Sequence, residues 1–291
     1  MNRVTIHYYR TLPIAIRTIA VFTIQLLLLT ACNSPASELI VPTPPTATAT
    51  VPSSTPTLEP TSTPEAQGVQ LPNGACAHPY FPVVEDRTLV YQNKREGRET
   101  ITSIAFVDVN QSAFAVELKR DSDPAILIPW SCTSAGILSP VLIEDYTASL
   151  LFELDSPDVS GITLPSANQM VLGSTWSTEY VVHEMGGVET PAGILYTDYE
   201  VTLNHQVAEK ETVSISLADY PDSYRVDTEG RFRIALRLGD EVVEEEVTPI
   251  NYSSWYVEYV GLVRQDFKVG YFDGSGEMTS ITELIEIRES N

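Results

Sequence analysis

The chain has 291 residues, of which 39 are acidic and 17 are basic, so its formal net charge is −22. This surplus of negative charge repels nucleic acid and anionic membrane surfaces, which excludes nucleic acid as an expected partner. Because 43% of the residues are hydrophobic and only 19% are charged, the composition also excludes a chain that is disordered throughout.

The first element is an apolar stretch at residues 18–30, preceded by three arginines and no acidic residue. A positive segment followed by a short apolar one is typical of an export signal peptide. The stretch has about 13 residues, fewer than the roughly 20 that a membrane-spanning helix needs. We therefore predict that residues 1–31 direct export, with an uncleaved anchor helix as the alternative.

A lipid attachment site follows directly. Leu29, Thr30 and Ala31 precede Cys32, and this order resembles the bacterial lipobox. The resemblance implies cleavage before Cys32, a diacylglyceryl thioether on its sulfur and an amide-linked acyl chain such as palmitate. Two or three such chains anchor a protein stably, whereas one is marginal. The alternative is an ordinary signal peptide cut after Ala31, which would leave no lipid on the chain.

A proline- and threonine-rich tether is predicted at residues 32–70. Residues 33–70 contain eight prolines and eight threonines but no aromatic and no basic residue. Proline removes backbone donors, and so few apolar side chains cannot offset the entropy lost on ordering. We predict a disordered, semi-rigid linker that reaches at most roughly 120 Å, at about 3.1 Å per residue.

The rest of the chain, residues 71–291, is predicted to form one β-rich extracytoplasmic domain. Short runs rich in β-branched and aromatic residues alternate with turn signals, and helical periodicity is scarce. Val141–Leu154 could be either a bent strand or a short helix. The predicted strands are Arg87–Lys94, Thr100–Val109, Ser112–Arg120, Thr175–Glu184, Ile194–Val207, Thr212–Leu217, Arg231–Leu238, Glu241–Val247, Ser254–Gln265 and Met278–Ile287. The predicted fold class is all-β, with antiparallel strands.

One hairpin can be predicted in register. Gly239 and Asp240 suit a two-residue turn, which would place Arg233 opposite Glu246 and Leu236 opposite Val243. Phe232 would then face Val247. Arginines and glutamates would alternate on the hydrated face, at Arg231, Arg233, Arg237, Glu244 and Glu246. Opposite charges across strands stabilise by roughly 0.2–1 kcal/mol each, so the arginines need no anionic ligand to explain them.

An internal duplication is a further hypothesis. Trp130 is followed six residues later by Gly136 and two aliphatic residues, and Trp255 by Gly261 in the same way. The pattern suggests two β units, roughly 75–160 and 165–290. The glycines would mark bulges or bends, and the tryptophans would belong to the core.

The mature chain also resembles the TapB-like group of exported bacterial β domains. The matching phrases are Tyr80-Phe81-Pro82-Val83, Gly173 with Trp176, Pro191-Ala192-Gly193, and Trp255-Tyr256 with Gly261-Leu262-Val263. The first unit departs from the pattern, since Asp86 and Leu89 stand where the group has glycine and tryptophan. The resemblance implies curved antiparallel sheets, and it transfers no catalytic residue.

Cys76 and Cys132 remain once Cys32 is lipidated, and an exported protein with two further cysteines favours a disulfide. Closing this loop would stabilise the fold by roughly 4 kcal/mol in the chain-entropy description. Free thiols and a metal pair are the alternatives. Only His78 lies near Cys76 in the sequence and no Cys-x-x-Cys occurs, so neither a metal nor another cofactor is expected.

The sequence contains no Gly-x-Ser-x-Gly elbow, no His-Glu-x-x-His motif, no phosphate-binding loop and no dinucleotide-binding fingerprint. His183-Glu184 could be half of an acid–base pair, or the hydrated end of a strand before a Gly186-Gly187 turn. His205 is the other histidine considered for a hydrolase. Asp273–Glu277 is interpreted as a hairpin turn rather than a calcium loop.

Aromatic residues raise the possibility of a sugar-stacking strip, although aromatic residues in strands more often belong to the core. The candidates are Trp130, Trp176, Trp255, Tyr252, Tyr256 and Tyr259. The sequence therefore favours a lipid-anchored envelope lipoprotein that presents an acidic β-rich binding domain for an unknown protein, glycan or apolar ligand, without catalysis. The alternatives are a carrier that holds an apolar, lipid-like ligand in a half-barrel cavity, and a cell-surface hydrolase. The expected location is the extracytoplasmic face of the cell membrane, or the outer membrane if the host has one.

Overall fold

A computed structural model describes residues 71, 73–121, 123–140, 158–270 and 276–289. They belong to the second of two compact units of the chain, Leu58–Asn291. The predicted signal peptide, Cys32, the tether and Val141–Leu154 lie outside the described residues, as does most of the predicted Asp273–Glu277 turn.

The described residues form β-strands almost throughout, which confirms the all-β prediction. Their one helical element is a single 3-10 turn at Ala167–Gln169, and no helix among them is long and apolar enough to cross a bilayer. The strands are β1 Arg87–Arg95, β2 Arg98–Val107, β3 Ala113–Arg120, β4 Ile126–Cys132, β5 Gly136–Leu138, β6 Asp158–Gly161, β7 Leu164–Pro165, β8 Thr175–Thr190, β9 Gly193–Ser214, β10 Asp219–Leu238, β11 Glu241–Val257, β12 Gly261–Gly270 and β13 Glu277–Glu289.

All these strands pair in one antiparallel sheet, in the order β6-β8-β9-β10-β11-β12-β13-β1-β2-β3-β4-β5-β7. The first and last strands of the domain meet in the middle of the sheet, where Leu89 pairs with Ile287. The segment 158–165 contains both edge strands of the sheet. At one edge β6 pairs only with β8, and at the other edge β7 pairs only with β5, among the described strands. Several curved sheets were expected, but the described strands form a single continuous curved sheet.

Side chains alternate between a buried and a hydrated face along each long strand, as β-structure requires. In β3, for example, Phe114, Val116 and Leu118 are buried and their neighbours are not. The buried side chains form two clusters. One centres on β1–β5 and the other on the middle of β8–β13.

The N-terminal segment, residues 73–86, packs on the buried face of the sheet. Phe81 stacks on Trp130 with ring centroids 5.2 Å apart, and its edge meets Phe106. The disulfide between Cys76 and Cys132 fastens the segment to β4, in agreement with the sequence analysis. Both cysteines are buried. The segment thus covers the apolar side chains of the sheet around Trp130 and Phe106.

Several strand boundaries differ from the prediction. Ile194–Val207 and Thr212–Leu217 belong to one strand that ends at Ser214, and β10 begins at Asp219 rather than at Arg231. Polar and charged residues interrupt the alternation of apolar and polar side chains between Asp219 and Arg231. This part of β10 is nevertheless a strand, because it pairs with β9 on one side and β11 on the other. The predicted strand Ser254–Gln265 is interrupted, since Val260 N–H bonds the Val257 carbonyl in a turn.

The β10–β11 hairpin has the predicted Gly239-Asp240 turn but a different register. A bulge beside Leu236 shifts the pairing by one residue, so Arg233 lies opposite Val247 and Phe232 opposite Thr248. Arg233 forms ion pairs with Glu245 and with Glu200 of β9. The arginines of β10 thus pair with carboxylates on the hydrated face, as expected. Some of these carboxylates belong to β9 rather than to β11 of the hairpin.

The two Trp–Gly hairpins share a local geometry. In both, the strand ends two residues after the tryptophan, and the next strand begins at the glycine. Gly136 and Gly261 both have positive φ, at 151° and 102°, and both are buried. A side chain at Gly136 would overlap the Leu164 carbonyl of β7, so the close approach of that strand requires glycine there. The duplication itself stays a prediction.

Candidate functional site

The hydrated face of β8, β9 and β10 carries a shallow groove of about 500 Å³, hereafter the polar groove. Six polar residues line the groove from the hydrated face, namely Thr175, Ser177, Asn204, Gln206, Asp227 and Glu229. Trp176 and His205 also border it. The strand register explains this set, because Thr175 pairs with Gln206 and Gln206 with Asp227. A second row joins Ser177, Asn204 and Glu229 in the same way.

The spacing of these side chains follows from the sheet. Neighbouring strands lie about 4.8 Å apart, and side chains on one face repeat every ~7 Å along a strand. Two rows of three therefore cover an area of about 10 by 7 Å. Alternate residues of a strand share a face, so Asn204 and Gln206 both project from the hydrated side of β9.

Most of these groups have no hydrogen-bonding partner among the described residues. No other described side chain or backbone group bonds the side chains of Thr175, Ser177, Asn204, Gln206 or Glu229. Asp227 differs, since it accepts a hydrogen bond from Ser253 and pairs with Arg225 at 3.1 Å. The groove thus presents two carboxamides, two hydroxyls and one carboxylate that are open to a ligand.

A buried histidine joins the same three strands below the groove. His205 Nε2 lies 3.1 Å from the Thr178 hydroxyl of β8, and Nδ1 lies 2.8 Å from the Thr228 hydroxyl of β10. His205 also stacks on Trp176, with centroids 5.1 Å apart. We call Thr178, His205 and Thr228 the histidine link. It ties together the strands on which all six polar side chains stand.

The hydrogen bonds assign the protonation of this histidine. Thr178 donates its proton to the Ile162 carbonyl, so it can only accept from His205 Nε2–H. Nδ1 then accepts from Thr228 and carries no proton. Burial lowers the pKa of His205 to about 3, so the ring is neutral at physiological pH. The predicted hydrolase role is not supported at this residue, because both ring nitrogens are already engaged with threonines.

His183 lies elsewhere, at an irregular part of β8. The strand continues through the predicted Gly186-Gly187 turn to Thr190, with register shifts in between. The carboxylate next to the His183 ring is that of Asp198, with Nδ1 and Oδ2 3.5 Å apart. Here the backbone adopts positive φ at Glu184, whose N–H donates to Asp198.

Asp198 stabilises that irregularity. Burial opposes its ionisation, but the Glu184 N–H, Arg237 and His183 outweigh this effect and lower the pKa of the carboxyl. Arg237 Nη1 lies 3.3 Å from Asp198 Oδ2. The group is therefore an ionised carboxylate that is used structurally.

His78 does not form a metal pair with Cys76, which is in the disulfide. Its Nε2–H donates to the Pro165 carbonyl at 2.8 Å, and burial lowers its pKa. This bond fastens the N-terminal segment to β7. Within the described residues, no group of three potential ligands is placed to hold a metal ion.

The predicted aromatic strip does not form one surface. Trp130 and Tyr252 are buried in different clusters, as the core interpretation expected. Trp255 is half-buried, with Arg264 over its ring at 5.6 Å and its Nε1–H donating to Glu211. Of the six residues, Trp176 alone borders the polar groove.

The apolar cavity beside the N-terminal segment is small. It is bounded by Phe81, Tyr91, Phe106 and neighbouring residues, and it holds about 10 Å³, roughly the space of one water molecule. An acyl chain would need several hundred Å³. The half-barrel carrier therefore has no room at this place, since Phe81 occupies it.

No protein-family model matches the sequence, and no curated protein matches it. Two solved structures overlap with it in part. A lipoprotein candidate from Parabacteroides distasonis shares 13% identity, with a TM-score of 0.39, and an exported-protein candidate with a YmcC-like fold from Bacteroides fragilis shares 14%, with a TM-score of 0.40. In each case the overlap covers 72% of this chain and 98% of the other. Overlaps this low do not establish a shared fold, and the TapB-like resemblance stays a prediction.

The histidine link predicts a pH dependence of stability. The unfolded chain binds a proton at His205 near pH 6.5, but the folded protein binds it only near pH 3. Unfolding is therefore favoured by up to about 1.4 kcal/mol for each pH unit below about 6.5. Between about pH 6.5 and 5, most carboxylates stay ionised, so urea unfolding in this window isolates the histidines.

The variant His205→Gln should be less stable at neutral pH, yet its stability should fall less steeply on acidification, by about one proton. The matched control is Thr228→Val, which removes one partner of the ring but keeps the buried histidine, and it should retain the wild-type slope. Equal slopes for wild type and His205→Gln would contradict the assignment of a neutral, buried ring.

Proposed function

We propose that this protein is a lipid-anchored extracytoplasmic binding protein that uses the polar groove to hold its ligand. The observation that carries the proposal is the set of five open polar side chains on a platform joined by the histidine link. Supporting residues locked by packing and hydrogen bonds are what a binding site needs to keep its geometry. Thr178 and Thr228 meet that requirement here, since both bond the same buried ring.

The location rests on other features. The lipobox-like order ending at Cys32 would attach the chain to a membrane, and the tether would hold the domain away from it. The Cys76–Cys132 disulfide is typical of an oxidising compartment outside the cytoplasm. Negative charge keeps the domain off the anionic lipid surface, so the groove stays accessible.

Lipidation of Cys32 can be tested directly. Cells grown with an alkyne analogue of palmitate should incorporate it into the wild-type protein, because the lipobox leads to acylation of the cysteine. Cys32→Ser should incorporate none, whereas Cys132→Ser, which removes a cysteine of the disulfide, should still be labelled. Equal labelling of the Cys32→Ser variant would contradict the proposed anchor.

Occupation of the groove can be tested without knowing the ligand. With Cys32 acylated and the other cysteines in a disulfide, Ser177→Cys would introduce the single free thiol, at an exposed position of the groove. A ligand bound in the cell should slow maleimide labelling of this thiol relative to the purified protein, by several-fold. The matched control is Ser214→Cys, an exposed serine outside the groove at the C-terminal end of β9.

The control should react at the same rate in intact cells and in the purified protein. Equal rates for Ser177→Cys in both states would overturn the groove as the binding site. A slower rate for both variants in cells would indicate limited access of the reagent, and the ratio of the two variants corrects for this.

A further inference from the structure

We propose that the ligand of the polar groove is a neutral, polyhydroxylated molecule, namely a segment of an uncharged oligosaccharide. This inference rests on the proposed function, and it adds the chemical class of the ligand. The observation behind it is the composition of the groove, in which hydroxyls and carboxamides, which both donate and accept hydrogen bonds, lie beside carboxylates, which only accept them.

An anionic ligand does not fit this surface. No lysine or arginine lines the groove. The two guanidiniums of β10 that flank the groove already have carboxylate partners, since Arg225 pairs with Glu209, Glu211 and Asp227 at 3.1–3.3 Å and Arg231 pairs with Glu200 at 3.6 Å. A phosphate or carboxylate would therefore meet Glu229 and Asp227 without a compensating cation.

A metal ion or an apolar molecule fits no better. Asp227 is engaged by Arg225 and Ser253, which leaves Glu229 as the one open carboxylate of the groove. One carboxylate with neutral amides is a poor cation site, since hard divalent ions take several oxygen ligands. The exposed side chains of the groove are all polar. An apolar ligand would cover them without offering hydrogen-bonding partners, which is unfavourable.

Hydroxyl groups satisfy every one of these side chains. A sugar hydroxyl both donates and accepts, so it can bond the Asn204 and Gln206 carboxamides through either atom. Glu229 can accept from hydroxyls while Ser177 and Thr175 donate or accept. The two rows of side chains, separated by about 7 Å along the strands, can contact hydroxyls at both edges of a sugar ring.

The aromatic residue next to the groove stands on the other face of the sheet. Trp176 alternates with Thr175 and Ser177, its ring stacks on the buried His205, and its Nε1–H donates to the Thr163 carbonyl. It is therefore no stacking platform for the proposed sugar, which would be held by hydrogen bonds to the polar side chains of the groove.

The test uses the purified full-length lipoprotein in detergent, titrated in a calorimeter with maltohexaose, cellohexaose and the hexasaccharide of N-acetylglucosamine. At least one should bind at up to millimolar concentration, with little dependence on salt because the ligand is uncharged. Gln206→Ala should weaken binding about 3- to 10-fold, since a neutral hydrogen bond is lost. The matched control is Gln111→Ala, an exposed carboxamide in the β2–β3 turn, which should bind as wild type.

A second pair of variants distinguishes a polyol from a cation. Glu229→Gln keeps the acceptor oxygen and should retain binding within about threefold, whereas Glu229→Ala should lose it. Equal loss in both Glu229 variants would show that the charge is needed, which contradicts a neutral ligand. Failure of all three sugars to bind, or loss of binding in Gln111→Ala as well, would also overturn the inference.

Failure here is separable from failure of the proposed function. If Ser177→Cys is protected in cells but no neutral sugar binds, the groove remains a binding site and the ligand class is wrong. If Ser177→Cys is not protected, the groove itself is wrong. Circular dichroism of each variant verifies that the loss of binding does not come from unfolding.

Discussion

The attachment of the N-terminal segment to the buried face of the sheet is the constraint on which the described fold depends. A sheet with few helical residues to cover it must bury one face by other means. Phe81 stacks on Trp130, and the Cys76–Cys132 disulfide and the His78–Pro165 bond hold the segment on either side of that contact. Among the described residues beside Phe81, the remaining apolar space is about 10 Å³, too small for an acyl chain.

On that hydrated face, the features that make a strand stable and those that make a site are different. Arg225, Trp255 and Arg264 form a cross-strand row in which each charge meets carboxylates, so they stabilise the sheet and leave little for a ligand. The polar groove has the opposite character, because most of its side chains have no partner within the described residues. The histidine link joins its three strands from the buried face of the sheet.

Much of the fold could be predicted from the sequence, but the site could not. Alternation and turn residues indicated an all-β chain and the Gly239-Asp240 turn, because these depend on local chemistry. The disulfide was predicted from the two cysteines that remain in an exported chain once Cys32 is lipidated. A bulge beside Leu236 leaves no such signal, so the hairpin register was wrong by one residue. The groove joins Ser177, Gln206 and Glu229 from three strands, and their proximity depends on a register that the sequence does not state. His205 was considered as a catalytic base because its burial between two threonines could not be read from the sequence.

The most direct test of the groove as a carbohydrate site is photo-crosslinking in living cells. A diazirine amino acid would replace Gln206, and in a parallel strain Gln111, before irradiation and mass analysis of the purified lipoprotein. We expect an adduct of saccharide mass at position 206 and none at position 111. No adduct at 206, an equal adduct at both positions, or an adduct of a protein would contradict a neutral sugar in the polar groove.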